Sequence, residues 1–266
     1  MDISEFNVDT YSEQNPQYPK NIVVSPIMPV YNGVKNYPPG MLYKAIETSL
    51  RQATDTIDVT PVICVNNCMD ETEDVLQEFY GDIIIVGSVY NLGMANGASL
   101  AAVFAPGDYF IIQSVRSWYA PGSFAKMVEV LETNKDVGFV YGNTQYHGEM
   151  EHYHRPGPYV KEHFYQNFKS LFGYMYRRTA WDMGCRYIPF MYADDRWIDM
   201  GDRDFQMQMI EYRGWDGYWI DEPVLNYYYG GDQMTKRMKN YQRELDVIWK
   251  ARWPKATGGF GGAKVT

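Results

Sequence analysis

The sequence has no surplus of positive charge. Over 266 residues, 24 Lys and Arg face 33 Asp and Glu, a formal net charge of −9. Neutralising a phosphate backbone needs a basic surplus, so a generally basic nucleic-acid binder is excluded, although a local basic patch is not. Nor is there any run of about 20 apolar residues, the length needed to span a bilayer. The opening stretch, MDISEFNVDTYSEQNPQYPK, is polar and acidic and lacks the basic start and apolar middle of a secretory leader, so the expectation is a soluble, cytoplasmic chain. Cysteine is scarce. Cys64, Cys68 and Cys185 cannot build a disulfide framework, and no second Cys pair or nearby His completes a zinc site around Cys64 and Cys68, which predicts buried or half-buried thiols. No G-x-G-x-x-G follows the first apolar run, which argues against a Rossmann dinucleotide enzyme.

What the sequence does have is aromatic side chains and a regular alternation. Aromatics make up 16% of the chain, with 24 Tyr and 7 Trp. Tyr and Trp join an apolar face to a polar handle and suit sugar, base or protein surfaces as well as interiors. Residues 1–20, broken by Asn15, Pro16 and Pro19, read as a flexible lead. Asn21–Met28, Val59–Val65, Ile83–Val86, Tyr109–Ser114 and Val137–Tyr141 then read as buried strands. Between them Met41–Ala53, Asp70–Tyr80, Met94–Phe104 and Ser123–Asn134 have helical periodicity. Asp70 and Glu73 have approximately the spacing of a capping box. This alternation predicts an α/β fold with a largely parallel sheet, whose ligands bind beyond the carboxyl ends of the strands. The loops to watch therefore begin at Pro29, Asn66, Ser88 and Gln113. The second half is less regular. Residues 142–167 are polar and aromatic and hold all four histidines. Phe172–Arg178 and Tyr218–Ile220 read as strands, Asp202–Arg213 as a helix and Thr235–Trp253 as a closing helix, and the Gly-rich tail 255–266 reads as mobile.

Four segments on this frame resemble a known family. Pro29-Val30-Tyr31-Asn32 follows the first strand, VNNCMDETEDVL spans 65–76, NLGMANGASLAAVFAPGDYFII spans 91–112, and MGDRDFQMQMIEYRG spans 200–214. In this order they resemble four motifs of the inverting glycosyltransferases of family 2: P-x-Y-N, the V-D-D-G-S-x-D-x-T loop (here one residue short), N-x-G-x-x-x-A-x-N-x-G-x-x-x-A-x-G-x-Y, and E-D-x-D-L-x-x-R-x-x-x-x-G. The resemblance implies a GT-A-type fold, a mixed, mostly parallel sheet flanked by helices. Residues 21–141 would form the nucleotide-sugar-binding half and 142–254 the acceptor-binding and catalytic-base half of the same domain. The implied reaction moves a sugar from a nucleotide-diphosphate donor, by family frequency a UDP-sugar, to the hydroxyl of a carbohydrate or other acceptor, with inversion.

Carried over residue by residue, the resemblance assigns donor binding to Pro29, Val30, Tyr31, Asn66, Asn67, Gly93, Asn96, Gln113, Ser114, Val115 and Arg116, and the general base to Asp202. Asn66 or Asn67 matches an Asp that reads the base; an amide offers both a donor and an acceptor for that purpose, and Asn equally suits a plain turn. Gly93 permits close approach, and Asn96 either contacts the donor or caps the helix. Asp202 matches the second residue of the E-D pair, with Gly201 in place of the Glu, and Asp204 matches the third acidic position. Both also suit a helix N-terminus. The pair Asp194–Asp195 is the competing choice for the base.

One departure is large. The family's fourth strand ends in D-x-D or D-x-D-D, whose carboxylates hold Mg²⁺ or Mn²⁺ against the donor diphosphate. Here residues 113–117 are Gln, Ser, Val, Arg and Ser, and no Asp or Glu lies between Asp108 and Glu129. Mg or Mn is thus expected for the family while its ligands are missing. Three readings follow. The chain is metal-independent, with Arg116 or the Arg177–Arg178 pair stabilising the leaving diphosphate; or it is a non-catalytic nucleotide-sugar-binding or scaffold protein; or its metal site has been altered, and Val115→Asp with Arg116→Asp restores it. His152 and His154 alternate and so share one face of a strand. Together with His147 and His163 they predict an acceptor-binding loop or exposed side chains rather than a metal site. Tyr146, Tyr153, Tyr159, Phe164 and Tyr165 fit either stacking on sugars or a small satellite core.

Overall fold

The computed structural model describes residues 21–166, 171, 173–194, 196–231 and 238–256. The predicted flexible lead, Phe172, residues 235–237 and the tail beyond Ala256 lie outside the described residues.

The centre of the sheet is β1 (Ile22–Val30), a near-continuous apolar run buried on both faces, as interior parallel strands are. It pairs in parallel with β2 (Ile57–Val59) and β3 (Val62–Asn66) on one side and β5 (Tyr109–Ile112) on the other. β4 (Ile84–Ser88) extends the parallel array beyond β3. Beyond β5 the sheet becomes mixed. β9 (Met175–Arg177) runs antiparallel between β5 and β7 (Val137–Gly148), β12 (Asp216–Tyr229) runs parallel to β7, and β6 (Ser117–Tyr119) closes that edge antiparallel to β12. β8 (His152–His154) pairs antiparallel with the outer end of β7. A small hairpin, β10 (Met191–Ala193) and β11 (Arg196–Ile198), stands apart.

Helices α1 (Met41–Leu50), α2 (Thr72–Gln77), α3 (Gly93–Phe104) and α4 (Ser123–Thr133) cover the sheet, followed by α5 (Lys161–Gln166), α6 (Arg178–Asp182), α7 (Gly201–Arg213) and α8 (Gln242–Arg252). α3 presents Ala95, Ala98, Ala101 and Ala102 to the sheet, and these small side chains let its backbone approach closely. A Cβ on Gly97 would stand 2.7 Å from the Asn66 amide and 2.9 Å from Pro29 Cβ. α7 is buried from Gly201 to Ile210 although five of those residues are charged or carry amides. Asp204 is the best satisfied of its charged groups. Asp204 accepts hydrogen bonds from Arg252, from Trp253 Nε1 at 2.9 Å and from Gln208 Nε2 at 2.7 Å. Among the described residues no helix is long and apolar enough to cross a membrane.

The mixed, mostly parallel sheet flanked by helices agrees with the sequence reading, and several details differ from it. The predicted fourth strand stops at Ile112 and leads into β6 rather than into a helix. The strand predicted over Val137–Tyr141 continues to Gly148 and pairs along nearly its whole length with β12, of which only Tyr218–Ile220 was expected. The extensions, Asn143–His147 and Val224–Tyr229, are polar and aromatic rather than aliphatic, and their pairing partners are remote in sequence. The capping box is not the arrangement seen: α2 begins at Thr72, whose N–H Asp70 Oδ1 accepts at 3.2 Å, while Asp70 Oδ2 takes N–H groups of the neighbouring loop. Lys255 and Ala256, the first residues of the predicted mobile tail, are packed, with Lys255 Nζ 2.9 Å from Glu211 and Ala256 buried.

Candidate active site

Because β1, β3, β4 and β5 are parallel, the loops after Val30, Asn66, Ser88 and Ile112 leave the same edge of the sheet. The first two are clasped together. Asp70 Oδ2 accepts the backbone N–H of Val34 at 3.0 Å and of Lys35 at 2.8 Å, Thr72 Oγ1 accepts Gly33 N–H at 2.7 Å, and Asn32 Oδ1 accepts Met69 N–H at 2.8 Å. Burial works to raise the pKa of Asp70, but the hydrogen bonds from Lys35, Thr72 and Val34 outweigh it and hold the carboxyl below its ordinary value. Cys68 belongs to the same clasp, its sulfur accepting Asn32 N–H at 3.2 Å. Cys64 and Cys185 are buried.

The clasp separates the two asparagines left open by the sequence. Asn66 is buried, its amide donating to Gly93 O at 3.3 Å and lying 3.5 Å from the Cys64 sulfur. Asn67 is exposed and left-handed, with φ of 52°, a conformation Asn tolerates better than most residues. Val30 is buried, Pro29 half-buried and Tyr31 exposed. Asn96 bonds the Leu92 carbonyl at 3.1 Å within its own helix end.

Asp199, which no motif identifies, fastens α7, the helix that carries Asp202, to the N-terminus of α3. Its Oδ2 accepts Ala95 N–H, in the first turn of α3, at 2.6 Å, and its Oδ1 accepts Gly201 N–H, the first residue of α7, at 2.7 Å. Two helix N-termini thus share one buried carboxylate. Burial is the main cause that pushes Asp199 up to about 7, helped by the charges of Asp202 and Asp204 and opposed by the two N–H groups. The fit also explains Gly201, the departure from the family's Glu: a Cβ there would lie 2.9 Å from Ala95 Cβ. Asp202 follows in the first turn of α7, buried, with Oδ1 accepting Arg203 N–H at 2.8 Å. Burial raises its pKa, and the Arg203 N–H and guanidinium oppose the rise. Asp204, held by Arg252, Trp253 and Gln208, is a structural group. In the competing pair, Asp194 sits exposed on the β10–β11 hairpin, bonded by Tyr241 Oη; Asp195 lies outside the described residues.

After β5 the chain makes a closed turn. Ser117 Oγ accepts Ser114 N–H at 3.1 Å and donates to Ser114 O at 2.9 Å, while Ser114 Oγ accepts Arg116 N–H at 3.2 Å. Gln113 turns inward, donating to Ala45 O at 2.8 Å and accepting from Ser49 Oγ at 2.8 Å. Val115 is 2% exposed, packed in the apolar cluster of Met28, Val30, Leu42 and Val65. These residues do not fit a divalent cation. The turn offers no carboxylate, the hydroxyls are committed within it, and the side chain it delivers with a charge is Arg116. Among the described residues no group of three His, Cys, Asp or Glu is arranged to hold a metal. Arg116 lies over the Tyr37 ring, 4.8 Å from its centroid, and donates to Gly230 O. Burial raises the pKa of Tyr227, the Arg116 charge opposes the rise, and Tyr146, Tyr37 and Asp202 add to it.

The alternative pair Arg177–Arg178 is at the wrong end. Arg177 is in register with Tyr109, the first residue of β5, so it lies at the edge opposite the loops. It bonds Val137 O, Leu131 O and Asn134 O, and Arg178 bonds Ala105 O. The aromatic segment divides. Tyr159 and Phe164 pack edge-on to Phe139 as core. His152 and His154 do share a face, with ring centroids 6.4 and 6.3 Å from Tyr146, which also meets Tyr227 and Tyr229.

A sequence profile described as glycosyl transferase family 2 matches residues 25–198. An uncharacterized glycosyltransferase of Haemophilus influenzae is 26% identical over 119 residues, 45% of this chain and 38% of that protein. Two solved structures share the fold. S. aureus TarS 1–349, in complex with UDP-GlcNAc, superposes with a TM-score of 0.63 at 10% identity over 86% of this chain. The mannosyltransferase PcManGT from Pyrobaculum calidifontis, in complex with GDP-Man and Mn²⁺, superposes with a TM-score of 0.62 at 16% identity over 90% of this chain. The chain spans 66% of each of those two chains.

Proposed function

Since the chain belongs to glycosyltransferase family 2, we propose that it transfers a sugar from a nucleotide-diphosphate donor, a UDP-sugar, to an acceptor hydroxyl with inversion. Residues 21–141 take the donor and 142–254 the acceptor. Asp202 receives the acceptor's proton. The freed oxygen forms a bond to the anomeric carbon from the face opposite the leaving group, and the C–O bond to the diphosphate breaks, its electron pair leaving with the nucleotide. Burial suits Asp202 to this task, because a raised pKa makes a carboxylate a stronger base. Pro29, Tyr31 and Asn67 face the base and ribose, with Asn67 rather than the committed Asn66 reading the base edge. Gly93 and Asn96 shape the helix end beside the donor.

The observation that carries this reading is the convergence of the donor loops and the Asp202 helix on the N-terminus of α3, fastened through Asp199. A transfer assay with UDP-sugars tests it. Asp202→Asn lowers turnover about 10²- to 10⁴-fold, the range of a lost general base, while UDP affinity stays as in the parent. Unchanged turnover removes Asp202 from the chemistry. The absent acidic turn at 113–117 favours a second reading, a nucleotide-sugar-binding protein without turnover. Donor binding with no transfer or hydrolysis in the parent selects that reading.

A further inference from the structure

We infer that Arg116 is the protein's own cation for the donor diphosphate, so that nucleotide binding needs no divalent metal. The inference rests on the glycosyltransferase reading and deepens it. At the end of β5 the polypeptide is built to exclude a metal rather than to await one. Gln113 is bonded into α1, Val115 fills the apolar cluster behind the turn, and the two serines close the turn on themselves. The same turn carries a permanent positive charge. Arg116 is anchored by three elements at once: its ring partner Tyr37 comes from the β1–α1 loop, its guanidinium bonds Gly230 just after β12, and its carbonyl accepts Tyr228 N–H at 2.8 Å. A guanidinium so anchored is planar, cationic and pre-oriented, the qualities that let Arg recognise phosphate oxygens. Low exposure, 7% for the residue, keeps its field unscreened, where fixed charge acts most strongly on developing negative charge. Its place among the strand-end loops is set by the sheet: β5, which leads into the turn, runs parallel to β1, and Ser117, the residue after Arg116, is in register with Tyr227 of β12. The alternative pair does not reach this edge, since Arg177 and Arg178 hold the opposite one, and Lys44 is seated on the Trp118 ring, 3.6 Å from its centroid.

Calorimetric titration of the full chain with UDP and with GDP, in EDTA and in millimolar Mn²⁺, tests the inference. The parent binds one of the two nucleotides with the same affinity in both conditions. Arg116→Gln weakens that binding about tenfold or more, and Arg116→Lys retains part of it because the charge remains. Circular dichroism of each variant checks that the fold is intact. Uridine and guanosine serve as probes lacking phosphate, and their weak binding is the same in the parent and in Arg116→Gln. Binding that appears only with Mn²⁺, or an Arg116→Gln variant that is folded and binds UDP and GDP like the parent, overturns the inference and leaves the glycosyltransferase reading standing. Failure of both nucleotides to bind the parent in either condition overturns both.

Discussion

A buried carboxylate shared by two helix ends should be visible in the pH dependence of folding. Asp199 is pushed from an ordinary 3.8 up to about 7 in the folded protein, chiefly by burial. Between those values the folded protein keeps a proton that the unfolded chain has released. Stability therefore falls as pH rises from about 4 to about 7, and the loss is complete above 7, where both states are ionised. Each pH unit in that window costs about 1.4 kcal/mol, and the whole window on the order of 4 kcal/mol as an upper figure. Asp199→Asn removes this dependence. It also leaves one of the N–H groups of Ala95 and Gly201 facing an amide N–H, at a cost of about 1–3 kcal/mol for the unsatisfied donor. Urea titrations of parent and variant at half-unit steps from pH 4.5 to 8 measure both terms. Asp202 and Asp204, whose pKa values burial also raises, contribute a slope of the same sign in both proteins, so the difference between the two curves is the quantity of interest. The stability difference between parent and variant should shrink by kcal/mol amounts as pH rises through the window. Parallel curves for parent and variant would refute the reasoning.

Two further substitutions test neighbouring parts of the site. Val115→Asp, one half of the change that would restore an acidic turn, puts a carboxylate into an apolar cluster at 2% exposure; it should cost about 3–5 kcal/mol in denaturant titration and yield no Mn²⁺ affinity by calorimetry. Asp70→Ala removes the acceptor for Val34 and Lys35 N–H and should cost about 2 kcal/mol at neutral pH. Because Asp70 is held below its ordinary pKa, its contribution is present at neutral pH and is lost as pH falls through the folded value, so parent and Asp70→Ala should converge in stability toward low pH.

The first half of the fold is legible because its signals are local. The buried strands β1, β3 and β5 are short apolar runs, and α1 and α4 carry one apolar face each. The loops at their carboxyl ends follow from topology alone. The long β7–β12 pair is not legible, because its outer half alternates Tyr, His, Asn and Gln and its stability comes from a partner strand roughly 80 residues away. Nor is the second role of Asp70, which accepts the first N–H of its own helix, as spacing suggests, and also ties down the neighbouring loop. Asp199 illustrates the limit most clearly. It lies just before the 200–214 motif, three residues from Asp202, in a segment without periodicity, and its partner Ala95 is 104 positions away. The one available signal was Gly201, where a small residue replaces the family's Glu at a point of close approach. The sequence leaves Arg116 and the Arg177–Arg178 pair as alternative cations; only the structure separates them, by seating Arg116 on Tyr37 and Gly230 and the pair at the opposite edge.

The central claim is that the carboxyl ends of β1, β3 and β5 and the start of α7 line one donor site. A crystal structure of the protein with UDP or GDP in metal-free solution tests it most directly. The account predicts the base beside Pro29, Tyr31 and Asn67, the diphosphate on Arg116 and the open end of the nucleotide directed at Asp202. A nucleotide bound elsewhere, such as on the Tyr146–His152–His154 face, or bound at the strand ends through a metal ion with Arg116 turned away, would contradict it.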